Sequence, residues 1–310
     1  MPSGRILRVR TLKPESYGQV IRAYRSSPKF LATSAATQIS WNRELELAEE
    51  HLGHIPNRDI CPGDVQDFLD GIADYPGKQK VALTALRQVD KWALVRRKLA
   101  TPATFGCEVI GSDGGHIPWT DQQVALGERC AGDGFSRVIT LGVHTGQRIS
   151  DLARMCWNDL ETVEGRVGIN VRGGQKKTKR SQWIPLTKEL SAAMATWERR
   201  LGPIVVTPAG AAWNPDTIST RWARERDGNP ALAPLRNIEF EGMVKNLTLH
   251  GLRATACVRL LWAGATTRQI SDMVGMSEQT VKGYTRFAEQ KRSALAGVHH
   301  MDRTTNERKA

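Results

Sequence analysis

Two arginines, a histidine, a tyrosine and a basic run have the types and spacing to do chemistry together. The stretch LTLHGLRATACVRLLWAG is mostly small and apolar, yet its start carries His250 and Arg253, three apart. A second stretch, GVHTGQRISDLARMCWNDL, carries Arg148 and Asp151, again three apart, beside a Thr145-Gly146 turn. RGGQKKTKR supplies Lys176, Lys177, Lys179 and Arg180, and TVKGYTRF supplies Tyr284. Two guanidiniums can each hold non-bridging oxygens of one phosphate in fork geometry. A transition state at phosphorus spreads negative charge over those oxygens, so preorganised cations stabilise it. A tyrosine hydroxyl can be the nucleophile, and a lysine can give a proton to the departing oxygen. No acidic cluster accompanies these residues, so no metal and no other cofactor is expected. Taken alone, Arg148 and Asp151 read as a local ion pair. The combination argues for chemistry at a phosphate.

These side chains need elements to hold them, and the chain predicts mostly helices. In SWNRELELAEEHLGHI, Trp41, Leu45, Leu47, Ala48 and Leu52 recur at helical spacing. A second helix starts at Asp64, and a third runs from Gln79 to Leu99. Lys91, Arg96, Arg97 and Lys98 on that long helix are candidates for DNA backbone contact. Residues 101–118, TPATFGCEVIGSDGGHIP, are rich in Gly, Pro, Ser and Thr. A linker over 106–118 would then separate domains at 1–105 and 119–310. Thr120 followed by Gln123 is a capping-box pattern, and residues 135–144 form an apolar helix stopped near Gly146. The period then changes: Val167-Gly-Ile-Asn-Val and Ser181-Gln-Trp-Ile-Pro-Leu alternate on either side of the basic run, which predicts a β-hairpin with a basic tip. Helices resume over Thr187–Arg200, around Thr217–Arg226 and from His250. The tail MDRTTNERKA is expected to be disordered, with His299 and His300 beyond the last helix.

Composition points to a polyanionic partner. Lys and Arg number 44 against 32 Asp and Glu, a net charge of +12 over 310 residues. The first 105 residues hold 16 basic and 11 acidic residues and the remainder 28 and 21, so both predicted domains are basic. Five cysteines without a CxxC pair read as reduced thiols of an intracellular protein. The N-terminus lacks the apolar core of a signal peptide, and no stretch has the length of a membrane span. A cytoplasmic protein is expected, with no membrane partner.

The motifs TGQRISDLARMCWNDL, QKKTKRSQWIPL, LHGLR and VGMSEQTVKGYTRF stand in this order, with Tyr284 placed 31 residues after Arg253. In these the chain resembles the tyrosine recombinase (phage integrase) family over essentially its whole length. The resemblance implies a mainly α fold with a small β-sheet: a helical core-binding domain, then a catalytic domain of the DNA breaking-rejoining type. It implies site-specific recombination on double-stranded DNA by a homo-tetramer on paired sites. By the same resemblance Arg148 and Arg253 clamp the scissile phosphate and Asp151 orients the site. Lys177, with Lys176 as its rival in register, is the general acid. His250 assists proton transfer, and Tyr284 forms a 3′-phosphotyrosyl bond. The family usually has His or Trp where this chain has Met276, whose thioether donates no hydrogen bond to phosphate; a slower site is expected. Lys176, Lys179 and Arg180 would reach the DNA backbone, as the hairpin tip of a C-shaped clamp.

Three other readings fit parts of the chain. TTRQISDMVGMSEQTVKGYTR also reads as a helix-turn-helix of a regulator, with Thr266 and Gln269 as a capping box and Gly275 in the turn. That reading leaves Arg148, Lys177, His250 and Arg253 without a role. A DNA-binding relative that has lost catalysis, and a type IB topoisomerase, share the basic cluster.

Overall fold

In the computed structural model, which describes residues 15–111, 115–171, 182–240 and 242–307, with Asp133 and residues 299–307 described in backbone alone, the chain divides into two units, Met1–Gly114 and Gly115–Ala310. Of the stretch expected as linker, Cys107 is buried in the core of the first unit and Ile117 in that of the second. The two ends of the stretch therefore pack into the units they adjoin.

The first unit is helical: α1 (Tyr17–Arg25), α2 (Pro28–Leu31), α3 (Ala35–Leu52), α4 (Pro62–Asp70) and α5 (Pro76–Val95). Local chemistry sets the starts. The Ser16 hydroxyl and the Gln19 side chain accept each other's backbone N–H in a capping box. Pro62 and Pro76 stand at the first helical positions, where their missing N–H is not needed. Tyr17, Val20, Ile21, Leu45, Leu69 and Leu86 fill the core between α1, α3, α4 and α5. The third helix is shorter than its periodicity suggested. It ends at Val95, Arg96 caps it, and Arg97 takes a left-handed φ of 56°. Arg96, Arg97 and Lys98 therefore lie beyond the helix rather than on it. Lys98 pairs with Glu15 at 2.6 Å, so its charge is already answered within the fold. Arg96 lies over the Trp92 ring, and Lys91 and Arg97 are exposed.

Asp90, 2% exposed, ties this unit together. It accepts from the Tyr17 hydroxyl at 3.2 Å and from both the backbone N–H and the hydroxyl of Thr104 at 2.7 Å. Asp90→Ala strands these donors, at about 1–3 kcal/mol for each left without an acceptor. A clearly lower thermal midpoint of the first unit is expected, read by circular dichroism of the full chain. An unchanged midpoint would show that the network is ornamental to stability.

The second unit contains α6 (Asp121–Cys130), α7 (Asp133–Thr145), α8 (Ile149–Leu152), β1 (Leu160–Val163), β2 (Arg166–Val171), β3 (Gln182–Pro185), α9 (Lys188–Ala195), α10 (Ile218–Gly228), β4 (Ile238–Phe240), β5 (Met243–Lys245), α11 (Gly251–Trp262), α12 (Thr267–Val274) and α13 (Glu278–Glu307). The expected capping box of Thr120 and Gln123 opens α6. The expected hairpin is β2–β3, with Ile169 opposite Ile184 and both fully buried. Its tip, with Lys176, Lys177, Lys179 and Arg180, lies outside the described residues. A third antiparallel strand, β1, joins β2 through a two-residue turn in which Glu164 and Gly165 both take positive φ. The main core gathers Val138, Ile139, Leu141, Leu152, Trp222 and Leu252. A smaller cluster of Cys257, Leu261, Ile270, Val274, Val281 and Ala288 joins α11, α12 and α13.

Two expectations of the sequence are corrected. Helix α9 stops at Ala195 rather than Arg200, because Thr196 caps it and GP follows at 202–203. The tail is not irregular: α13 runs unbroken to Glu307, so His299 and His300 lie within it. Its far end lacks an apolar stripe, the signal from which helices are read, but a helix already nucleated on the α11–α12 cluster propagates at little cost. Among the described residues no helix is long and apolar enough to cross a membrane.

Candidate active site

Two glycines organise the site. Gly146 ends α7 and Gly275 ends α12, each in the left-handed conformation, with φ of 62° and 64°. That conformation turns the chain sharply and leaves a carbonyl facing inward. Arg253, in the first turn of α11, donates to the Gly146 carbonyl at 2.5 Å and to the Gly275 carbonyl at 3.3 Å. Its guanidinium is therefore fixed before any ligand arrives. A Cβ on Gly146 would lie 2.6 Å from Val274 Cγ1, so the close approach of the two helix ends also requires glycine. Gln147, buried beside the turn, donates to the carbonyls of Thr145 and Met273 and fastens the same joint.

Arg148 follows this turn directly, as the residue preceding α8. Its guanidinium makes no hydrogen bond or ion pair among the described residues. Its charge nevertheless acts on Arg253, His250, Tyr284 and Asp151. Arg253 is 3% exposed; burial, and then Arg148 beside it, lower it to about 10, which leaves it cationic at neutral pH. Asp151 does not form the local ion pair that its spacing with Arg148 allowed. Both its carboxylate oxygens are buried without a hydrogen-bond partner among the described residues. Burial raises its pKa, against the pull of Arg148, Arg154 and Arg253.

His250 is the residue preceding α11, with helical φ and ψ and no capping bond from its ring. Its Nε2 lies 3.4 Å from the Tyr284 hydroxyl. Burial first, then His116, Arg253 and Arg148, lower His250 to about 4, so the imidazole is neutral and able to accept a proton. Tyr284, on α13, packs half-buried against the α11–α12–α13 cluster, and burial raises its pKa against the pull of the arginines. It is a neutral phenol at neutral pH. Met276 packs against the same cluster, and its carbonyl accepts from the Ser271 hydroxyl at 2.6 Å.

The structure thus brings Arg148, Asp151, His250, Arg253, Met276 and Tyr284 to one place, on α8, α11, the α12–α13 turn and α13. The helix-turn-helix geometry is real around Gly275, but Tyr284 faces His250 rather than serving a free recognition helix. Lys177 and its neighbours lie outside the described residues, and Lys91, Arg96, Arg97 and Lys98 belong to the first unit. Sequence reasoning missed His116, whose ring stacks on His250 with centroids 4.3 Å apart. It sat in a Gly-rich stretch and carried no motif.

The low His250 pKa has a consequence for stability. An unfolded His takes its proton near 6.5, whereas the folded one waits until about 4. Between these values the unfolded state binds more protons, so stability falls as pH drops through that window and is unaffected by this group above it. His250→Gln is expected to lose less thermal stability than the wild type between pH 7 and pH 5. Equal losses in the two proteins would refute the assignment.

Against known proteins, 218 residues align at 24% identity with tyrosine recombinase XerC of Xanthomonas campestris pv. campestris (strain B100), covering 66% of this chain. The match spans 62% of that relative's length. Two solved structures share the fold. A lambda integrase tetramer bound to a Holliday junction superposes with TM-score 0.68 and 19% identity, covering 84% of this chain and 77% of that one. The Tn1549 transposon integrase in complex with a circular intermediate DNA gives TM-score 0.70 at 15% identity, covering 90% and 99%. The model of the phage integrase family matches residues 128–291, more than half of the chain and every described side chain of the site except His116, and the chain belongs to that family.

Proposed function

We propose that this protein is a site-specific DNA recombinase that cuts and rejoins strands through a 3′-phosphotyrosyl intermediate. The observation that carries the reading is the Tyr284 hydroxyl against a neutral His250, with a preorganised Arg253 and an uncommitted Arg148 beside them. The scissile phosphate sits between the two guanidiniums. Tyr284 Oη attacks phosphorus as His250 Nε2 takes its proton. The bond to the 5′ oxygen breaks, and Lys177 protonates that oxygen. The 5′-hydroxyl of another strand then attacks the phosphotyrosine and restores the tyrosine, so phosphoester bonds are conserved and no external energy is needed. Asp151 offsets the crowding of positive charge from behind the arginines. Met276 supports the tyrosine by packing and gives the phosphate no donor, which makes the site slower than one with His or Trp there.

The partner is double-stranded DNA, held mostly by phosphate contacts, including those of the hairpin tip and of Lys91 and Arg97. Related integrases bound to DNA, one of them as a tetramer on a Holliday junction, favour a homo-tetramer on paired sites. Leu295 and Val298 lie exposed three apart on α13 and suit a contact between protomers. Such a protein works on the chromosome, in the bacterial cytoplasm.

The test is a suicide-substrate assay. The protein is incubated with nicked duplexes from the flanks of its own gene, and a denaturation-resistant protein–DNA adduct is sought. An adduct on particular duplexes supports the recombinase. Relaxation of supercoiled DNA without a preferred site would favour a topoisomerase. Tight, salt-sensitive binding with no adduct on any flank would favour a disabled DNA-binding relative.

A further inference from the structure

The His250 imidazole has one hydrogen bond among the described residues, the one to the Tyr284 hydroxyl that the reaction must break. An imidazole held only by the bond it is about to lose needs another constraint on its plane. The segment 116–119 supplies a wall. Trp119 donates its backbone N–H to the Thr255 hydroxyl at 2.7 Å and its indole N–H to the Thr248 carbonyl at 3.0 Å, which pins the segment across the start of α11. Gly251 makes the crossing possible, since a Cβ there would lie 2.3 Å from the Ile117 carbonyl oxygen. His116 Nδ1 and the Thr248 hydroxyl share a hydrogen bond at 2.9 Å, which fixes the ring that stacks on His250 at an interplanar angle of 47°.

We propose that His116 is a positioning residue that, anchored on Thr248 and stacked against His250, holds the His250 imidazole with Nε2 toward the Tyr284 hydroxyl. This rests on the reading of His250 as the group that takes the tyrosine proton. Two imidazoles at this separation resist carrying a charge each. The other groups that bear on the pair are Arg253 and Arg148 on the His250 side and Lys245 of β5 on the His116 side. All are cationic, so they favour a neutral His250 and a neutral His116 alike. The two rings differ in access: His116 is exposed and His250 is mostly buried.

The test uses the full chain with His116→Ala and His116→Phe. Histidine ring signals are followed by NMR from pH 8 to pH 4 in the free protein, with His250 assigned by the signal lost in His250→Gln. His116→Ala should move the His250 midpoint up toward the ordinary histidine value. It should slow adduct formation on the nicked duplexes about tenfold and carry the acid limb of the pH–rate profile upward with the midpoint. His116→Phe, which keeps a flat ring without the titrating nitrogens, should recover part of the lost rate. A His250 midpoint and acid limb unmoved in His116→Ala would overturn the proposal, as would a Phe variant no better than Ala. The NMR arm decides the coupling without DNA. A wild type that makes no adduct on any duplex therefore counts against the recombinase reading and is told apart from a failure of His116.

Discussion

Tyr284→Phe is expected to abolish the denaturation-resistant adduct on nicked duplexes while leaving DNA binding and folding in place. The substitution removes one oxygen. That oxygen is the atom placed 3.4 Å from His250 Nε2, and no phenyl carbon can form a phosphoester in its stead. The ring stays packed on the α11–α12–α13 cluster, so its apolar burial is kept. The stability cost is that of one partly exposed hydrogen bond, about 1 kcal/mol at most. Loss of adduct with unchanged binding thus isolates the chemical step. An adduct that survived in Tyr284→Phe would mean that another residue attacks phosphorus.

The two arginines should separate in a way that the sequence alone does not foretell. Both are expected to lower the rate of adduct formation by a factor on the order of 10²–10³ when changed to Ala, the usual effect of deleting one preorganised donor to a developing charge. Their effects on folding should differ. Arg148 has no partner among the described residues and crowds Arg253 with like charge. Arg148→Ala should therefore melt no lower than the wild type. Arg253 donates to the Gly146 and Gly275 carbonyls from a buried position, so Arg253→Ala takes a donor from each and lowers the thermal midpoint, with about 1–3 kcal/mol lost at the Gly146 carbonyl. Thermal midpoints beside single-turnover rates give the answer. An Arg148→Ala variant that cleaves at the wild-type rate would remove it from the phosphate clamp.

The site was legible where chemistry needs side chains at fixed intervals along the chain. Arg148, His250, Arg253 and Tyr284 carry their motifs with them, and Gly146 and Gly275 announce helix ends. Other features depend on tertiary contact and leave no such mark. His116 matters only because Trp119 pins its segment to Thr248 and Thr255, more than 120 residues away in sequence. Strand β1 has an exposed pattern that fails to alternate, and β4 and β5 have three residues each, too few to show a period. The length of α13 was missed because the sequence of its far end carries no apolar stripe. Lys98 looked free for DNA because its acidic partner, Glu15, is 83 residues away.

The joint between Gly146, Gly275 and Arg253 also ties the candidate site to the integrity of the fold. The same two glycines that close α7 and α12 with their N–H groups offer the carbonyls that hold Arg253. If α12 frays or α13 pulls away, Arg253 loses an acceptor as Tyr284 leaves His250. A half-folded molecule then has a displaced Arg253 and a Tyr284 without its histidine at once. If the proposed chemistry holds, clamp and nucleophile are lost together, so a partly unfolded molecule would not cut at all.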